Sequence, residues 1–294
     1  MSQHINTLDQ AGLQLPPDEI VAYYDETWLD YRLLWLNRTN LSVHFGYADE
    51  TTRGHASALL NMNRVLADRA GIAPSQRVLD AGCGVGGSSL WLAEQRGAQV
   101  IGITPVASQV ARARRFAARR GLGDRVAFEQ ADYTCTPFPG ESFDVVWALE
   151  SLCHAADKSA FYREAARLLR PGGRLVVAEY IRAARPLGDS GERLLHEWLD
   201  GWAIRDLDTR AEHERHAAAA GLADFRLDDV TAHTRPSLRR LYRMTCWSYP
   251  LAVAIRALGI RSRVQHGNVI GALRQYQALE RGLWFYGILS AVKQ

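Results

Sequence analysis

The stretch VLDAGCGVGG, residues 78–87, decides the fold, because a short apolar strand pattern runs directly into a glycine-rich turn. The segment that follows, SLWLAEQR at 89–96, has the spacing of apolar residues that is typical of a helix. The four glycines of the turn carry no side chain at the place where the backbone of such a turn approaches a bound ligand. We therefore predict a strand–turn–helix unit whose turn forms part of a ligand site.

Outward from this unit, short β-branched runs alternate with longer helical patterns, which is typical of parallel βαβ units. The predicted strands are 77–82, 99–104, 125–132, 143–150 and 174–180, and the predicted helices are 89–96, 106–120 and 158–169. The alternation breaks after residue 180, resumes with a helix at 209–220 and a strand near 225–231, breaks again over 235–280, and ends in a strand within 283–293. Glycines at 172 and 173 are expected to end the third helix with a left-handed cap.

This pattern predicts an α/β fold with a Rossmann-like, doubly wound sheet. Residues 71–181 would form the ligand-binding core, and residues 182–294 would add helical insertions together with a last core helix and the late strands. We expect the N-terminal residues 1–70 and the two insertions to form a helical lid over the carboxyl ends of the strands, where open α/β sheets bind their ligands.

The charges around the turn indicate which ligand it binds. Asp80, at the end of the first strand, can face a positively charged group such as the amino-acid part of S-adenosylmethionine (SAM), whereas it would repel a pyrophosphate. A dinucleotide fold would also carry an acid about twenty residues further on, but the second strand ends at Ile103-Thr104 without one. Asp132 and Tyr133 follow the third strand, where a carboxylate and an aromatic ring fit an adenine.

Four segments carry a family resemblance: VLDAGCGVGG, GITPVASQVARA (102–113), FEQADYTCTPFPGESFDVVWALES (128–151) and ARLLRPGGRLVVAEY (166–180). Over about residues 71–181 the chain resembles class I SAM-dependent methyltransferases, and among them the sterol and tocopherol C-methyltransferase group, whose relatives methylate isoprenoids that include prenyl diphosphates. The resemblance implies that SAM is the cofactor and that Thr104 and Gln109 reach its ribose. It implies a SAM site formed by Asp80, Gly82, Cys83, Gly84, Thr104, Gln109, Asp132, Tyr133 and His44.

The candidate catalytic residues follow the fourth strand in the segment Glu150-Ser151-Leu152-Cys153-His154-Ala155, which resembles a motif of the sterol enzymes. An acid and a histidine at a pocket rim can accept a proton or stabilise a developing positive charge. The alternative is structural: Glu150 would cap the next helix and His154 would bond to the backbone. Glu179, at the end of the fifth strand, is expected in the same region as a second acid or as a hydrogen-bonded wall.

Two aromatic segments precede the core, Tyr23-Tyr24-Asp25-Glu26 and 42–47 (SVHFGY). The resemblance implies that Tyr24 and His44 lie over the active site, and aromatic faces there could stabilise a cation or the sulfonium. An aromatic-rich amphipathic helix can equally be part of the core, and both interpretations stay open.

The net charge of +3 is unevenly distributed. From residue 231 to the end, nine arginines and one lysine face a single glutamate, so this part carries +9 and the rest −6. Arginine forks suit phosphate oxygens, so Arg239, Arg240 and Arg243 could hold the diphosphate of a prenyl substrate, and such a substrate could also bring Mg²⁺. Contact with an acidic membrane and a plain solvated face are the alternatives, the first because the segment 249–260 is apolar with isolated arginines.

The leading hypothesis is a SAM-dependent C-methyltransferase that methylates an isoprenoid alkene through a carbocation, with deprotonation and in some cases cyclisation to follow. The alternatives are O- or N-methylation of a small natural product, with His154 as general base, and a SAM-binding subunit without activity. We expect an apolar small-molecule substrate, no nucleic-acid partner, and an oligomer only as one possibility. The four scattered cysteines form no metal-ligand pattern, and with no secretory signal or membrane-spanning run we expect a cytoplasmic protein.

Overall fold

Seven strands form one sheet in the computed structural model, which describes residues 21–28, 41 and 43–294. The strands are β1 (Arg77–Ala81), β2 (Gln99–Thr104), β3 (Val126–Gln130), β4 (Phe143–Leu149), β5 (Leu169–Arg182), β6 (Leu222–Asp229) and β7 (Trp284–Lys293). The helices are α1 (His55–Arg69), α2 (Gly87–Arg96), α3 (Ala107–Arg119), α4 (Lys158–Leu168), α5 (Asp189–Gly201), α6 (Arg210–Ala219), α7 (Thr231–Ala257) and α8 (Arg263–Glu280). Residues 21–28 are also helical, and Leu152–His154 form a 3₁₀ turn.

The strand order in the sheet is β3-β2-β1-β4-β5-β7-β6. Strands β1 to β5 run parallel, and β7 lies antiparallel to both β5 and β6. The chain moves from β1 outward to β3 and then returns to place β4 on the other side of β1. The crevice at such a reversal is where open α/β sheets bind ligands, so the topology puts the site at the carboxyl ends of β1 and β4. The predicted Rossmann-like fold is confirmed.

Both faces of the sheet are buried. Val78 and Val176 belong to one apolar cluster, and their neighbours Leu79 and Val177 belong to a second. The first cluster includes residues of α1, α2 and α3, and the second includes residues of α4 and α6. Strands that are covered on both faces are apolar throughout, which explains why the central strands read as continuous Val, Leu and Ala runs.

The end of α4 differs from the prediction. The helix stops at Leu168, and Leu169 already has extended dihedrals (φ −70°, ψ 140°). Gly172 does have a positive φ of 74°, but it lies in β5, where the register with β4 shifts between Phe143 and Val145. The glycine pair therefore accommodates an irregular strand start rather than a helix cap, and the left-handed cap predicted for α4 is wrong.

The second predicted interruption, 235–280, consists mostly of α7 and α8. Helix α5 crosses α8 at a point where glycines let the two backbones touch. A Cβ on Gly201 would lie 2.4 Å from the carbonyl oxygen of Gly267 and 2.9 Å from the amide nitrogen of Gly271. In the part of the chain that the structure describes, no helix combines the length and the apolarity needed to cross a bilayer.

We expect the substitution Gly201→Ala to destabilise the protein by about 1–3 kcal/mol, because the added methyl group has no room between the backbones of α5 and α8. The melting temperature and the denaturant midpoint report the change. Gly123→Ala is the matched control, since a Cβ there meets no atom within 4 Å. If both variants melted like the parent protein, the close helix crossing would be wrong.

Candidate active site

The glycine turn after β1 touches the turn after β4. Gly82 has a φ of +90°, and a Cβ there would lie 2.3 Å from the Cβ of Ser151. The Ser151 hydroxyl donates a hydrogen bond of 2.6 Å to the carbonyl of Ala81. The amides of Gly82 and Cys83 both donate to the Ile103 carbonyl at 2.9 Å. The crevice floor is thus fixed by three neighbouring strands, and the absence of a side chain at Gly82 is needed for its close packing against Ser151.

A cavity of about 520 Å³ opens above this floor. Its volume falls within the range of small-molecule sites, roughly 300–1,000 Å³. All the residues that the sequence predicts for SAM line it: His44, Asp80, Gly82, Cys83, Gly84, Thr104, Gln109, Asp132 and Tyr133. The structure therefore brings these positions together in one cavity, and we refer to it as the cofactor cavity.

Asp80 is the buried acid of the cofactor cavity. Its side chain accepts a 2.5 Å hydrogen bond from the Ser89 hydroxyl in the first turn of α2. Burial raises the pKa of the Asp80 carboxyl to about 6, and the hydrogen bond from Ser89 opposes that shift. A cation bound nearby would favour the ionised form, so the site is suited to a positively charged ligand.

Two further pairs of polar side chains line the cofactor cavity. The hydroxyl of Thr104, at the end of β2, donates to the Gln109 side-chain oxygen at 2.7 Å, so the Gln109 amide group keeps its hydrogen-bond donors for a ligand. Asp132 accepts from the amide and hydroxyl of Thr134 at 2.8 and 2.7 Å. The Tyr133 hydroxyl donates to the Ser151 carbonyl at 2.8 Å, which presents the ring as part of the cavity wall.

His44 is a neutral histidine with a spare acceptor. Burial lowers its pKa to about 4. Its Nδ1 lies 3.0 Å from the Phe45 carbonyl, which can only accept, so Nδ1 carries the proton. Nε2 is then an acceptor, and it is buried without a partner among the described residues. A ligand that offers an ammonium group, as SAM does, would supply the missing donor, so the residues present fit this cofactor.

Glu150 lies directly after β4 in a left-handed conformation, with φ +51°. Its Oε1 accepts from the Phe45 amide at 2.7 Å and from the Tyr286 hydroxyl at 2.6 Å, and its Oε2 accepts from the Tyr180 hydroxyl. Burial raises the pKa of the carboxyl to about 7 despite these donors. A left-handed non-glycine residue at a pocket is often a sign of function, and Glu150 does line the pocket.

His154 is the second candidate catalytic residue. Its Nδ1 donates to the Ala203 carbonyl at 3.3 Å, because a carbonyl can only accept. Its Nε2 is therefore the acceptor, and the Tyr24 hydroxyl lies 3.0 Å from it. Burial lowers the pKa of His154 to about 4, so the ring is neutral at physiological pH. This contact with the Ala203 carbonyl is the backbone hydrogen bond that the structural alternative for His154 predicts. The same hydrogen bond fixes the direction of Nε2, the nitrogen that can accept a proton.

The expected role of Glu179 as a second acid is wrong. Its side chain is only 1% exposed and lines neither of the cavities described here. One oxygen accepts from the Cys153 amide at 2.8 Å and the other from the Tyr180 amide at 2.9 Å. Glu179 therefore holds the 3₁₀ turn that carries His154. Of the two roles expected for Glu179, this position agrees with the hydrogen-bonded wall.

A second cavity, of about 170 Å³, lies next to the cofactor cavity. The two share Tyr24, Val43, Glu150 and His154 along their common boundary. The rest of the second cavity is mostly apolar, and α7 and α8 supply many of its residues. Its apolar lining includes Tyr23, Phe45, Tyr180, Trp202, Ile204, Leu241, Leu251, Ala252, Ile255, Val269 and Ala272. We call it the acceptor cavity.

The arginines predicted for a diphosphate lie elsewhere. Arg239, Arg240 and Arg243 are exposed on α7 and line neither cavity, whereas Arg261 does line the acceptor cavity. The structure thus corrects the placement of these three side chains. Among residues 21–28, 41 and 43–294, no group of three or more His, Cys, Asp or Glu side chains could hold a metal ion.

Tyr286 is the residue of this site that the sequence did not predict. It lies in β7, opposite Tyr180 in the strand register, so both hydroxyls reach Glu150 from neighbouring strands. The sequence does place Tyr286 in the last strand, but the partner of that strand cannot be read from the sequence. The pairing of β7 with β5 was the missing information.

Comparisons with known proteins agree with this geometry. Residues 79–177 match the family model described as a methyltransferase domain. The chain is 36% identical to 27-O-demethylrifamycin SV methyltransferase of Amycolatopsis mediterranei over 75% of this chain and 79% of that protein. It is 34% identical to the chloroplastic tocopherol O-methyltransferase of Arabidopsis thaliana over 93% of this chain and 81% of that protein.

A solved structure supports the fold. The structure of geranyl diphosphate methyltransferase in complex with GPP and sinefungin superposes with a TM-score of 0.75 and 21% identity, covering 94% of this chain and 99% of that one. At this identity the likeness concerns the architecture, including the lid elements outside the central core.

We expect the affinity for SAM to fall as the pH is lowered through about 6. The bound cation favours ionised Asp80, so below the pKa of the free protein binding must first remove a proton, at a cost of about tenfold in affinity per pH unit. Calorimetry across that range measures the effect.

Two variants isolate the contribution of Asp80. Asp80→Asn should bind SAM weakly at every pH, with no fall in affinity near pH 6. Glu150→Gln should keep this pH dependence, because it removes a different carboxyl of the cavity, the one whose pKa burial raises to about 7. A parent protein whose affinity does not change with pH would show that Asp80 does not face the cation.

Proposed function

Because this chain belongs to the class I SAM-dependent methyltransferases, we propose that it methylates a hydroxyl group of an apolar small molecule, with His154 as the general base. SAM, when bound, supplies a methyl group on a positively charged sulfur. The observation that carries the proposal is the neutral His154 ring, whose acceptor nitrogen lies at the boundary between the cofactor cavity and the acceptor cavity.

The position of His154 suits proton removal. The Ala203 carbonyl fixes the tautomer in which Nδ1 carries the proton, and the bond between Glu179 and the Cys153 amide fixes the turn. Nε2 is held 3.0 Å from the Tyr24 hydroxyl. A substrate hydroxyl in the place of the Tyr24 hydroxyl would meet the same nitrogen at hydrogen-bonding distance, which is the geometry that general-base catalysis requires.

The low pKa of His154 is compatible with this role. As the oxygen of the acceptor takes the methyl group, it acquires positive charge, and a positively charged alkylated oxygen is a strong acid. Even a weak base can then accept its proton, and a weak base later releases it readily to solvent. The C–O bond would form as the bond between the methyl carbon and sulfur breaks, with its electron pair left on the now neutral sulfur. The O–H bond breaks in turn, and Nε2 holds the proton until it passes to solvent.

The acceptor cavity supports an apolar substrate. Apart from the residues shared with the cofactor cavity, its walls are mainly aromatic and aliphatic. Its polar groups include the hydroxyls of Tyr23, Thr245 and Ser248, the Asn268 amide and the Arg261 guanidinium. Two relatives that match three quarters or more of the chain are 27-O-demethylrifamycin SV methyltransferase and tocopherol O-methyltransferase. The second name states methyl transfer to oxygen, and the first names a substrate whose oxygen lacks a methyl group.

A second candidate is C-methylation of an isoprenoid alkene. The observation that favours it is Glu150, whose carboxylate lies between two tyrosines at the boundary of the cavities. A carboxylate and aromatic faces could stabilise a carbocation, and the carboxylate could take its proton. The exposed positions of Arg239, Arg240 and Arg243 weigh against these three as a diphosphate clamp, because a clamp would have to line the cavity; Arg261 is the arginine that does line it.

Product analysis tests the proposal directly. The protein is incubated with methyl-labelled SAM and matched acceptors: phenols and alcohols on apolar scaffolds, prenyl alcohols, and prenyl diphosphates with and without Mg²⁺. We expect mass spectrometry to locate the label on oxygen. A label found only on carbon would replace the proposal with the second candidate.

Two variants separate the roles of His154 and Glu150. For transfer to oxygen, His154→Gln should lower kcat about 10²–10⁴-fold without changing the affinity for SAM, because it removes the base alone. Glu150→Gln should then be less damaging than His154→Gln, because Glu150 would mainly hold structure. The reverse order, with Glu150→Gln inactive and His154→Gln close to normal, would contradict the proposal.

A further inference from the structure

One short stretch near the end of α7 holds most of the exposed large hydrophobic side chains of the described residues. Among the described residues, six large hydrophobic side chains are exposed, and five of them lie between residues 247 and 260: Trp247, Leu251, Val253, Leu258 and Ile260. The exposed fraction is 88% for Trp247 and 74% for Leu258. Single exposed apolar residues are ordinary, but a contiguous group usually marks an interaction surface. We call residues 247–260, the end of α7 and the turn after it, the α7 tip.

The charges around the α7 tip are positive. Arg243, Arg256 and Arg263 are exposed, and Arg261 is half-buried beside them. Arg256 donates to the backbone carbonyl of Arg261 at 3.0 Å, a neutral group, and Arg261 donates to the backbone carbonyl of Gln265 at 3.0 Å. From residue 231 to residue 279 the sequence contains eight arginines and no acid.

The carboxylate next to this surface belongs to the N-terminal helix. Glu26 accepts a 2.5 Å hydrogen bond from the Ser262 hydroxyl, at the N-cap of α8. It offsets part of the positive charge, and the arginines outnumber it. An apolar patch with arginines at its border has the composition of a surface that lies in the interface of an anionic bilayer.

The acceptor cavity reaches this surface. Ser248, Leu251, Ile255 and Arg261 line the cavity, and Leu251 is also 64% exposed. The same turns of α7 therefore form the cavity wall on one side and the exposed apolar patch on the other. An apolar acceptor dissolved in a membrane would reach the cavity without crossing water.

We propose that the α7 tip docks this enzyme on the surface of a membrane that contains anionic phospholipids. Trp247, Leu251, Val253, Leu258 and Ile260 enter the interface, and Arg243, Arg256 and Arg263 face the lipid phosphates. The attachment is peripheral and depends on ionic strength. Docking needs neither SAM nor an acceptor, so it can be tested apart from the methylation.

Vesicle co-sedimentation tests the docking. The full chain is mixed with vesicles of phosphatidylcholine alone, or of phosphatidylcholine with about one third phosphatidylglycerol. We expect binding to the anionic vesicles, weaker binding as salt is raised, and little binding to the neutral ones. Equal absence of binding to both would overturn the proposal.

Substitutions of exposed residues test whether the α7 tip makes the contact with the vesicles. Trp247→Ser combined with Leu258→Ser should abolish most of the binding, and Arg243→Ala and Arg256→Ala should each weaken it about fivefold. Leu60→Ser and Arg115→Ala change an exposed leucine and an exposed arginine elsewhere, on α1 and α3, and should bind as the parent does. Unchanged melting temperature and SAM affinity show that each variant is folded.

Sedimentation velocity without lipid separates docking from self-association. If the protein is oligomeric and the Trp247 and Leu258 double variant becomes monomeric, the α7 tip is an interface between copies and the proposal is wrong. If the variant keeps the mass of the parent but no longer binds the anionic vesicles, the proposal of membrane docking is supported.

Discussion

The carboxylate of Glu150 accepts hydrogen bonds from three separate parts of the chain, and the arrangement of the whole site depends on it. The Phe45 amide comes from the segment before α1, and the Tyr180 and Tyr286 hydroxyls come from β5 and β7. Satisfying a buried acid in this way matters because leaving it unpaired would be costly. One side chain thus ties the N-terminal segment to the sheet, and it does so where the two cavities meet.

Burial sets the protonation states on both sides of this acid. It raises the pKa of Asp80 and Glu150 and lowers that of His44 and His154, in each case by disfavouring the charged form. As a result, the cofactor cavity contains the Asp80 carboxyl, whose ionisation a bound cation would favour. The neutral His154 ring lies at the boundary with the acceptor cavity. The protonation states of these side chains therefore depend on their burial as much as on their residue types.

The sequence predicted the parts of the site that follow individual strands. Each core strand ends in a polar residue at the same edge of the sheet, so Asp80, Thr104, Asp132 and Glu150 could be brought together from their positions alone. Local patterns could not show that β7 pairs antiparallel with β5, and so they missed Tyr286. They also could not choose between the two expected roles of Glu179, because its partners are the backbone amides of Cys153 and Tyr180. The arginines of α7 follow a helical spacing that is equally compatible with a cavity wall and with an outer surface, and only the packing of α7 on α8 decides between them.

The small size of the acceptor cavity has a consequence for selectivity. Its 170 Å³ is below the range of about 300–1,000 Å³ in which whole drug-sized ligands are enclosed. Under the proposed function, a bulky acceptor would insert only the end that carries the reacting group, and the remainder would stay outside the cavity. Recognition would then be regiochemical: the local shape around one functional group would decide, and several scaffolds with a common terminal unit could share one catalyst.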